Sequence, residues 1–323
     1  MKEGLHYIDG TYATQEEVSR KVLVDDLGRR DSRLRHLTAD GSPRNFAEWT
    51  EIMVRRQKEV SELLTIPESV DVVIDSKDPI LVWLVADVHA GGDSDYERFA
   101  GDLQAVKDVG GYSIPFGDIT DSYFWSPAMN AIMRGDEQTM FAQAAFEEMA
   151  KGGKMIAAFG GDHDMWGKDR TGSHTLYQDL WKKYGAHYLE GVSYVTVGIN
   201  DGKTIEKYGL VGSHRHKGFS VYNDAHASLR QWRDEGIGSV VSITAHNHVK
   251  AALTQVHKVH GGGEVKFHSL ALGTYKKTDR YSRKMGWPRK GEESMGGFGL
   301  VLHPGQEKID ILWDVREAAG RMK

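Results

Sequence analysis

The sequence predicts an α/β domain preceded by a helical extension, and three observations predict it. From residue 78 onward, short continuous apolar runs recur, and each ends abruptly in a cluster of charged residues or histidines. Stretches with helical spacing separate these runs. Residues 1–75, by contrast, are charged and carry helix-start signals. Uninterrupted apolar runs mark strands buried on both faces, which an α/β arrangement supplies by covering its sheets with helices.

In the extension, residues 1–75, Thr14 followed three positions later by Glu17 reads as a capping box, so a helix is expected to about Asp26, before Gly28. A second helix is expected from Ser42-Pro43, a cap followed by proline at the first helical position, to just before Pro67. Its spacing places Phe46, Trp49, Met53, Val60, Leu63 and Leu64 on one face. Arg29, Arg30, Arg33 and Arg35 lie between the two, but beside Asp25, Asp26 and Asp31 they read as a solvated surface before they read as a DNA contact. In the main domain, residues 78–323, strands are expected at 80–86, 112–116, 155–159, 210–211 and 240–245. Helices are expected at 137–150 and 175–184. Residues 252–260 and 264–272 flank Gly261-Gly262-Gly263 as a hairpin, and a terminal strand is expected at 309–313.

Composition narrows the chemistry. With 323 residues, 40% of them apolar, the chain has material for a sizeable core in one large or two ordinary domains. Lysine and arginine (41) against aspartate and glutamate (46) leave −5, so no global basic field holds a polyanion. Cysteine is absent, which excludes disulfides, thiolate nucleophiles and cysteine metal sites; any metal must be held by His, Asp and Glu. The N-terminal MKEGLHYIDG has no apolar run of the kind a secretory signal needs, and the longest apolar run, 80–86, is far short of the roughly 20 residues that span a bilayer. A cytoplasmic protein without a membrane contact is expected. No Gly-x-x-x-x-Gly-Lys-Ser/Thr loop and no His-Glu-x-x-His are present, and the Gly261–Gly263 run lacks the strand-to-helix setting of a dinucleotide fingerprint.

The polar clusters stand at the predicted carboxyl ends of the strands, the edge at which α/β sheets bind ligands. Asp87 and His89 are two apart and share a side of a continuing strand. Gly117-Asp118 is followed by Asp121, which reads as a helix cap. Asp162-His163-Asp164, His214, and His246 with His248 complete the series. Each cluster alone reads as well as a capped helix or an ordinary histidine. Seven oxygen or nitrogen donors, each directly after a strand, point instead to metal ligation, and a pair of cations about 3.5–4 Å apart clamps a phosphoryl group and activates water.

The ordered series Asp87-Val-His89, Gly117-Asp118-Ile-Thr-Asp121, Gly161-Asp162-His163-Asp164, His214 and Ala245-His246-Asn-His248 resembles the calcineurin-like metallophosphoesterase family over roughly residues 78–315. The resemblance implies a four-layer αββα sandwich: two mixed β-sheets flanked by helices, here with the N-terminal helical extension. It implies two divalent metal ions, Mn²⁺ first with Fe, Zn or Mg as alternatives. Asp87, His89, Asp118 and His248 would hold one, and Asp118, Asp162, His214 and His246 the other. It further implies in-line attack by a hydroxide generated at the metals, with His163 protonating the leaving alkoxide and Asp164 orienting His163 and raising its pKa. Asp162 stands where the family has asparagine, and Ala245 where it has glycine.

For the substrate, Arg215 beside His214, Trp166 after the His163 motif, and Lys276 and Lys277 at the head of a locally basic segment are the candidate contacts. That segment, 273–297, interleaves Tyr275, Tyr281 and Trp287 with its cations, a composition suited to a polyanion such as single-stranded nucleic acid. A phosphodiesterase acting on nucleic acid or a nucleotide-like diester is therefore the first expectation. A phosphomonoesterase for a small metabolite or phosphoprotein is the alternative, and a non-catalytic binding module the third.

Overall fold

Strand β4 (Ile80–Val85) is buried along its whole length, and its two faces generate the layers of the molecule. Ile80, Val82 and Leu84 join a core shared with Val195, Val197, Leu210, Ile243 and Leu270 of a second sheet. Trp83, on the opposite face, packs against the rings of Phe99 at 5.9 Å and Phe146 at 6.4 Å. Alternation along a strand thus sends half of one apolar run to another sheet and half to a helical layer. Each large apolar side chain buried this way contributes roughly 1.5–3 kcal/mol.

The computed structural model describes residues 5–8, 11–14, 45–63, 67–122, 132–133, 135–165, 183–218, 220, 222–259, 263–277 and 291–323. It divides into two units, Met1–Ile66 and Pro67–Lys323. The first contains an antiparallel hairpin of β1 (Leu5–Ile8) and β2 (Thr11–Thr14) and a helix, α1 (Phe46–Leu63). Asn45 and Glu48 cap α1 reciprocally: Asn45 Oδ1 accepts from Glu48 N at 3.0 Å and Glu48 Oε2 from Asn45 N at 2.8 Å. Within this unit Phe46 and Met53 are exposed. Thr14, read as a helix cap, is the last residue of β2, while residues 15–26 of the expected helix and the arginines at 29–35 lie outside the described residues.

In the second unit, β3 (Ser69–Asp75), β8 (Ser193–Asn200), β9 (Ile205–Ser213), β10 (Val241–Thr244), β11 (Ala251–Val259) and β12 (Gly263–Ala271) form a mixed sheet in the order β11-β12-β10-β9-β8-β3. Strands β5 (Tyr112–Pro115), β13 (Phe298–Leu302) and β14 (Ile309–Leu312) join β4 in the second mixed sheet, β14-β13-β4-β5. Parallel bridges from Ser113 to Met155 and from Phe116 to Phe159 bring β6 (Ala157–Phe159) beside β5, and β6 pairs with β7 (His187–Leu189). Helices α2 (Tyr96–Asp108), α3 (Gly135–Lys151) and α5 (Val315–Arg321) cover the β4 side. Helix α4 (His226–Asp234) covers the other sheet, stacking Trp232 on Phe267 at 3.6 Å. This is the expected four-layer sandwich of two mixed sheets between helices.

The hairpin β1–β2, strands β7 and β13 and helices α4 and α5 were not among the expected elements, and three more depart from expectation. Residues 69–75, placed in the helical extension, form β3 and pair in parallel with β8, with Val70, Val72 and Ile74 on the inward side and Asp71 and the exposed Val73 between them. Helix α2, capped by the Asp95 side chain on Arg98 N, was not anticipated, since its apolar positions are few. Strand β8 was missed because its buried face alternates with polar residues. The hairpin β11–β12 and strand β14 formed where expected, while most of 175–184 lies outside the described residues.

Candidate metal centre

Parallel pairing aligns carboxyl ends. Strands β4 and β5 are parallel, as are β9 and β10, so the residues that follow them emerge together at one edge of the two sheets. The chain then turns sharply. Among the described residues six other than glycine have positive φ, and five of them are candidate ligands: Asp87 (52°), His89 (50°), Asp118 (52°), His246 (70°) and His248 (57°); the sixth is Ser122 (41°). Such left-handed conformations cost of order 1–3 kcal/mol each and persist only where the surroundings impose them.

Those surroundings are hydrogen bonds between the loops. His89 N donates to Asp118 O at 2.9 Å and Asp87 N to Gly117 O at 3.0 Å. Asp87 Oδ2 accepts from His246 N at 3.0 Å. Gly117 and Gly161 permit the closest approach: a Cβ on Gly161 would lie 2.1 Å from Asp118 N and 2.3 Å from Asp118 Oδ1. Asp164 takes up the amides left over, accepting from Asp118 N at 2.7 Å, Gly161 N at 3.2 Å and Thr120 N at 3.3 Å.

Three overlapping groups of donor atoms result, each within 4.8 Å: Asp87, His89 and His248; His89, Asp118 and His163; and Asp118, His214 and His246. Asp118 and His89 each belong to two. Tautomers follow from the partners, since a carbonyl only accepts. His214 Nδ1 donates to Phe116 O at 2.6 Å, and His163 Nδ1 donates to Asp121 O. Both rings therefore turn Nε2 away from those carbonyls. His89 Nδ1 bonds Asp121 Oδ1 at 2.8 Å, which leaves Nε2 for the centre.

Divalent metal fits this donor set. Among the described residues, Asp87 Oδ1 and His214 Nε2 are buried without a hydrogen-bond partner. Their nearest opposite groups, His248 Nε2 at 3.0 Å and Asp118 Oδ2 at 3.1 Å, make charge contacts without hydrogen-bond alignment. Buried polar atoms left so are costly unless something else binds them.

The electrostatics agree. Burial opposes the ionisation of Asp118, but His214, then His89 and His163, hold its carboxyl down to about 2. Burial likewise opposes Asp87, which His248 keeps well below the usual carboxylate range. His214, against burial, is pushed up to about 10 by Asp118 and Asp87. The centre thus attracts positive charge strongly enough to hold a proton on a buried imidazole.

The sequence-predicted residues divide. Asp87, His89, Asp118, His214, His246, His248 and His163 come together. Asp162 falls outside the three groups, its Oδ2 lying 3.4 Å from both His246 Nδ1 and Arg215 Nη1. Asp164 binds loop amides, not His163, and His163 is lowered by burial and then by the charge of His89, opposite to the expected direction. Asp164 itself is raised to about 6 by burial and then by Asp118.

Lys276 Nζ donates to Asp121 Oδ1 at 2.8 Å, and Lys277 is exposed with its backbone N on Asp93 O at 2.7 Å. Tyr275 is no stacking platform: it is fully buried, its hydroxyl donating to Asp102 Oδ2 at 2.7 Å. Trp166, Tyr281, Trp287 and the basic residues at 280–290 lie outside the described residues. Asp121, read from sequence as a cap, is the functional residue missed. The Gly-Asp-x-x-Asp spacing was visible, but its partners His89 and Lys276 are distant in sequence.

Two facing mixed sheets with this ordered series of motifs converging at their strand ends decide the architecture. The observed layers are those that the resemblance to calcineurin-like metallophosphoesterases implies. Solved structures similar to the chain include YfcE, a phosphoesterase from E. coli, at 15% identity over 73% of this chain and 100% of that one, with a TM-score of 0.36. A metallophosphoesterase from Sphaerobacter thermophilus is 13% identical over 72% and 87%, TM-score 0.34. Vps29 from Entamoeba histolytica in complex with Zn²⁺ is 14% identical over 72% and 98%, TM-score 0.29. No family model and no curated protein matches the chain. Among the described residues no helix is long and apolar enough to cross a membrane.

Proposed function

We propose that the chain is a metal-dependent phosphoester hydrolase with a dinuclear centre, acting on a phosphodiester of nucleic acid or a nucleotide-like compound. The observation that carries this reading is the set of three donor groups joined through Asp118 and His89, built on residues held in left-handed conformations. Asp87, His89 and His248 would hold one cation and Asp118, His214 and His246 the other, with Asp118 between them and Asp162 placed to join the second. When bound, such a pair polarises a phosphoryl group and supplies a water acidic enough to attack phosphorus at neutral pH.

The chain's own groups do the rest. His163, its Nδ1 proton committed to Asp121 O, exchanges any proton with the leaving oxygen through Nε2. Asp164 fixes the backbone of Asp118 and Gly161, and so the distance between the two ligand loops. Arg215, 65% exposed at the rim, offers a guanidinium to an anionic ester once Asp162 turns to a cation. Mn²⁺ is the metal to load first.

The test is metal analysis of the purified protein with hydrolysis of a chromogenic phosphodiester and its matching monoester after Mn²⁺ loading. Two ions per chain and diester hydrolysis, abolished in Asp118→Asn and much reduced in His163→Ala, are expected. Preference for the monoester would replace the diesterase by a phosphatase. Absence of both metal and hydrolysis would refute the enzyme reading and turn attention to a binding role.

A further inference from the structure

Lys276 reaches the centre from a part of the chain that none of the ligand motifs contains. Its ammonium donates to Asp121 Oδ1 at 2.8 Å, and the same oxygen bonds His89 Nδ1 at 2.8 Å. Two donors from residues 187 positions apart therefore converge on one carboxylate oxygen. Both side chains of the ion pair are largely buried, Lys276 at 15% and Asp121 at 13% exposure. A geometry shared by three side chains in a poorly hydrated place is far more constrained than a surface ion pair.

The backbone around Lys276 is fastened independently of its side chain. Lys276 N donates to Thr274 Oγ1 at 2.9 Å, Lys277 N to Asp93 O at 2.7 Å, and Asp95 N to Tyr275 O at 2.7 Å. The same segment also braces the first ligand loop, with Tyr275 N and Thr274 Oγ1 both donating to Asp87 O, at 3.0 and 2.8 Å. Replacing the ammonium therefore removes a charge from Asp121 without releasing the segment.

We propose that Lys276 is a positioning residue for one metal site of the pair: it pins the Asp121 carboxylate so that Asp121 holds His89 with Nε2 facing Asp87 and His248. The chemistry is that of an outer partner that fixes a ligating imidazole's ring and tautomer, and loss of such partners typically weakens metal binding about 10–100-fold. The bond that Lys276 makes to Asp121 bears on His89, and His89 does not belong to the group of Asp118, His214 and His246. The larger effect is therefore expected at the site that contains His89.

This inference rests on the metal-dependent reading, and calorimetric titration with Mn²⁺ separates the two. Wild type should take up two ions. Lys276→Met should lose about 10–100-fold in affinity at one site and stay within about twofold at the other, with the metal-free protein melting as wild type does. Lys276→Arg, which keeps the charge, should recover part of the loss. Asp121→Asn should weaken the same site, and it carries the test if Lys276→Met folds poorly. Unchanged affinity in Lys276→Met, equal loss at both sites, or failure of Lys276→Arg to recover anything would overturn the positioning role while leaving the metal-dependent reading intact. If wild type takes one ion, the loss must appear on that ion; if it takes none, both fall.

Discussion

Gly161→Ala tests how closely the ligand loops must approach. A Cβ at position 161 would lie 2.1 Å from Asp118 N and 2.3 Å from Asp118 Oδ1. Ordinary contact begins near 3.4 Å, so the two loops must part by roughly 1.3 Å. The neighbour is backbone, which has no rotamer by which to yield. Overpacking of this kind costs about 1–3 kcal/mol, a fall in Tm of about 2–10 °C for a unit of this size. The consequence for function is larger, since Asp118 is the residue shared by two donor groups, and a misplacement of about 1 Å in a reacting constellation costs roughly 100-fold in rate. The assay pairs a circular dichroism melt with Mn²⁺ titration and diester hydrolysis. Gly101→Ala is the control: it lies in α2 with nothing within 4 Å of the new methyl, and should stabilise by about 0.5–1 kcal/mol. Wild-type metal affinity and activity in Gly161→Ala would refute the claim that the loop separation sets the centre.

Mn²⁺ at 100 times its dissociation constant should stabilise the protein by about 2.7 kcal/mol, and a chelator should reverse the shift in a thermal melt; no shift would mean that no ion binds the native state. His214, held up to about 10, carries a proton at pH 7 in the metal-free protein and must release it to ligate, so affinity should rise with pH by up to about tenfold per unit below pH 10. Titrations in buffers of different ionisation heat measure that proton. Without metal, the same raised pKa adds stability that is fully present below about 6.5 and lost as pH climbs through 10. Asp164→Ala strips its buried acceptor from Asp118 N, Gly161 N and Thr120 N and should cost about 3–5 kcal/mol, whereas Asp164→Asn retains one acceptor oxygen and should cost less; equal melts for the two would deny the loop-bracing role. Lys250, buried between the carbonyls of Met295 and Gly297, is lowered to about 8 by burial and then by the charge of Arg98. Its proton binds the unfolded chain more tightly, so its contribution to stability rises by about 3 kcal/mol between pH 8 and 10.5, and Lys250→Met should lose that rise in denaturant titrations.

The strands that carry the ligands were legible because a strand buried on both faces has no choice but an unbroken apolar run. Residues 80–86 and 155–159 state that plainly, and the polar cluster after each marks where the chain leaves the core. Strands β3 and β8 were harder to read, since a strand with one polar face alternates, and a short alternating stretch resembles many loops. The donor residues were legible as types and spacings, with Asp162 the one whose place the fold altered, through Arg215.

By itself, then, the sequence determined the layers, the absence of thiol chemistry and the identity of the donors, because hydrophobic periodicity and side-chain chemistry are local properties of the chain. Only the tertiary structure decided what each polar group faces. Asp164 went to the amides of Asp118, Gly161 and Thr120, and Asp121 to His89 and Lys276. A hydrogen bond or charge contact is fixed within a few ångströms in space, and residues 32 and 155 positions from Asp121 meet it only after the sheets have formed.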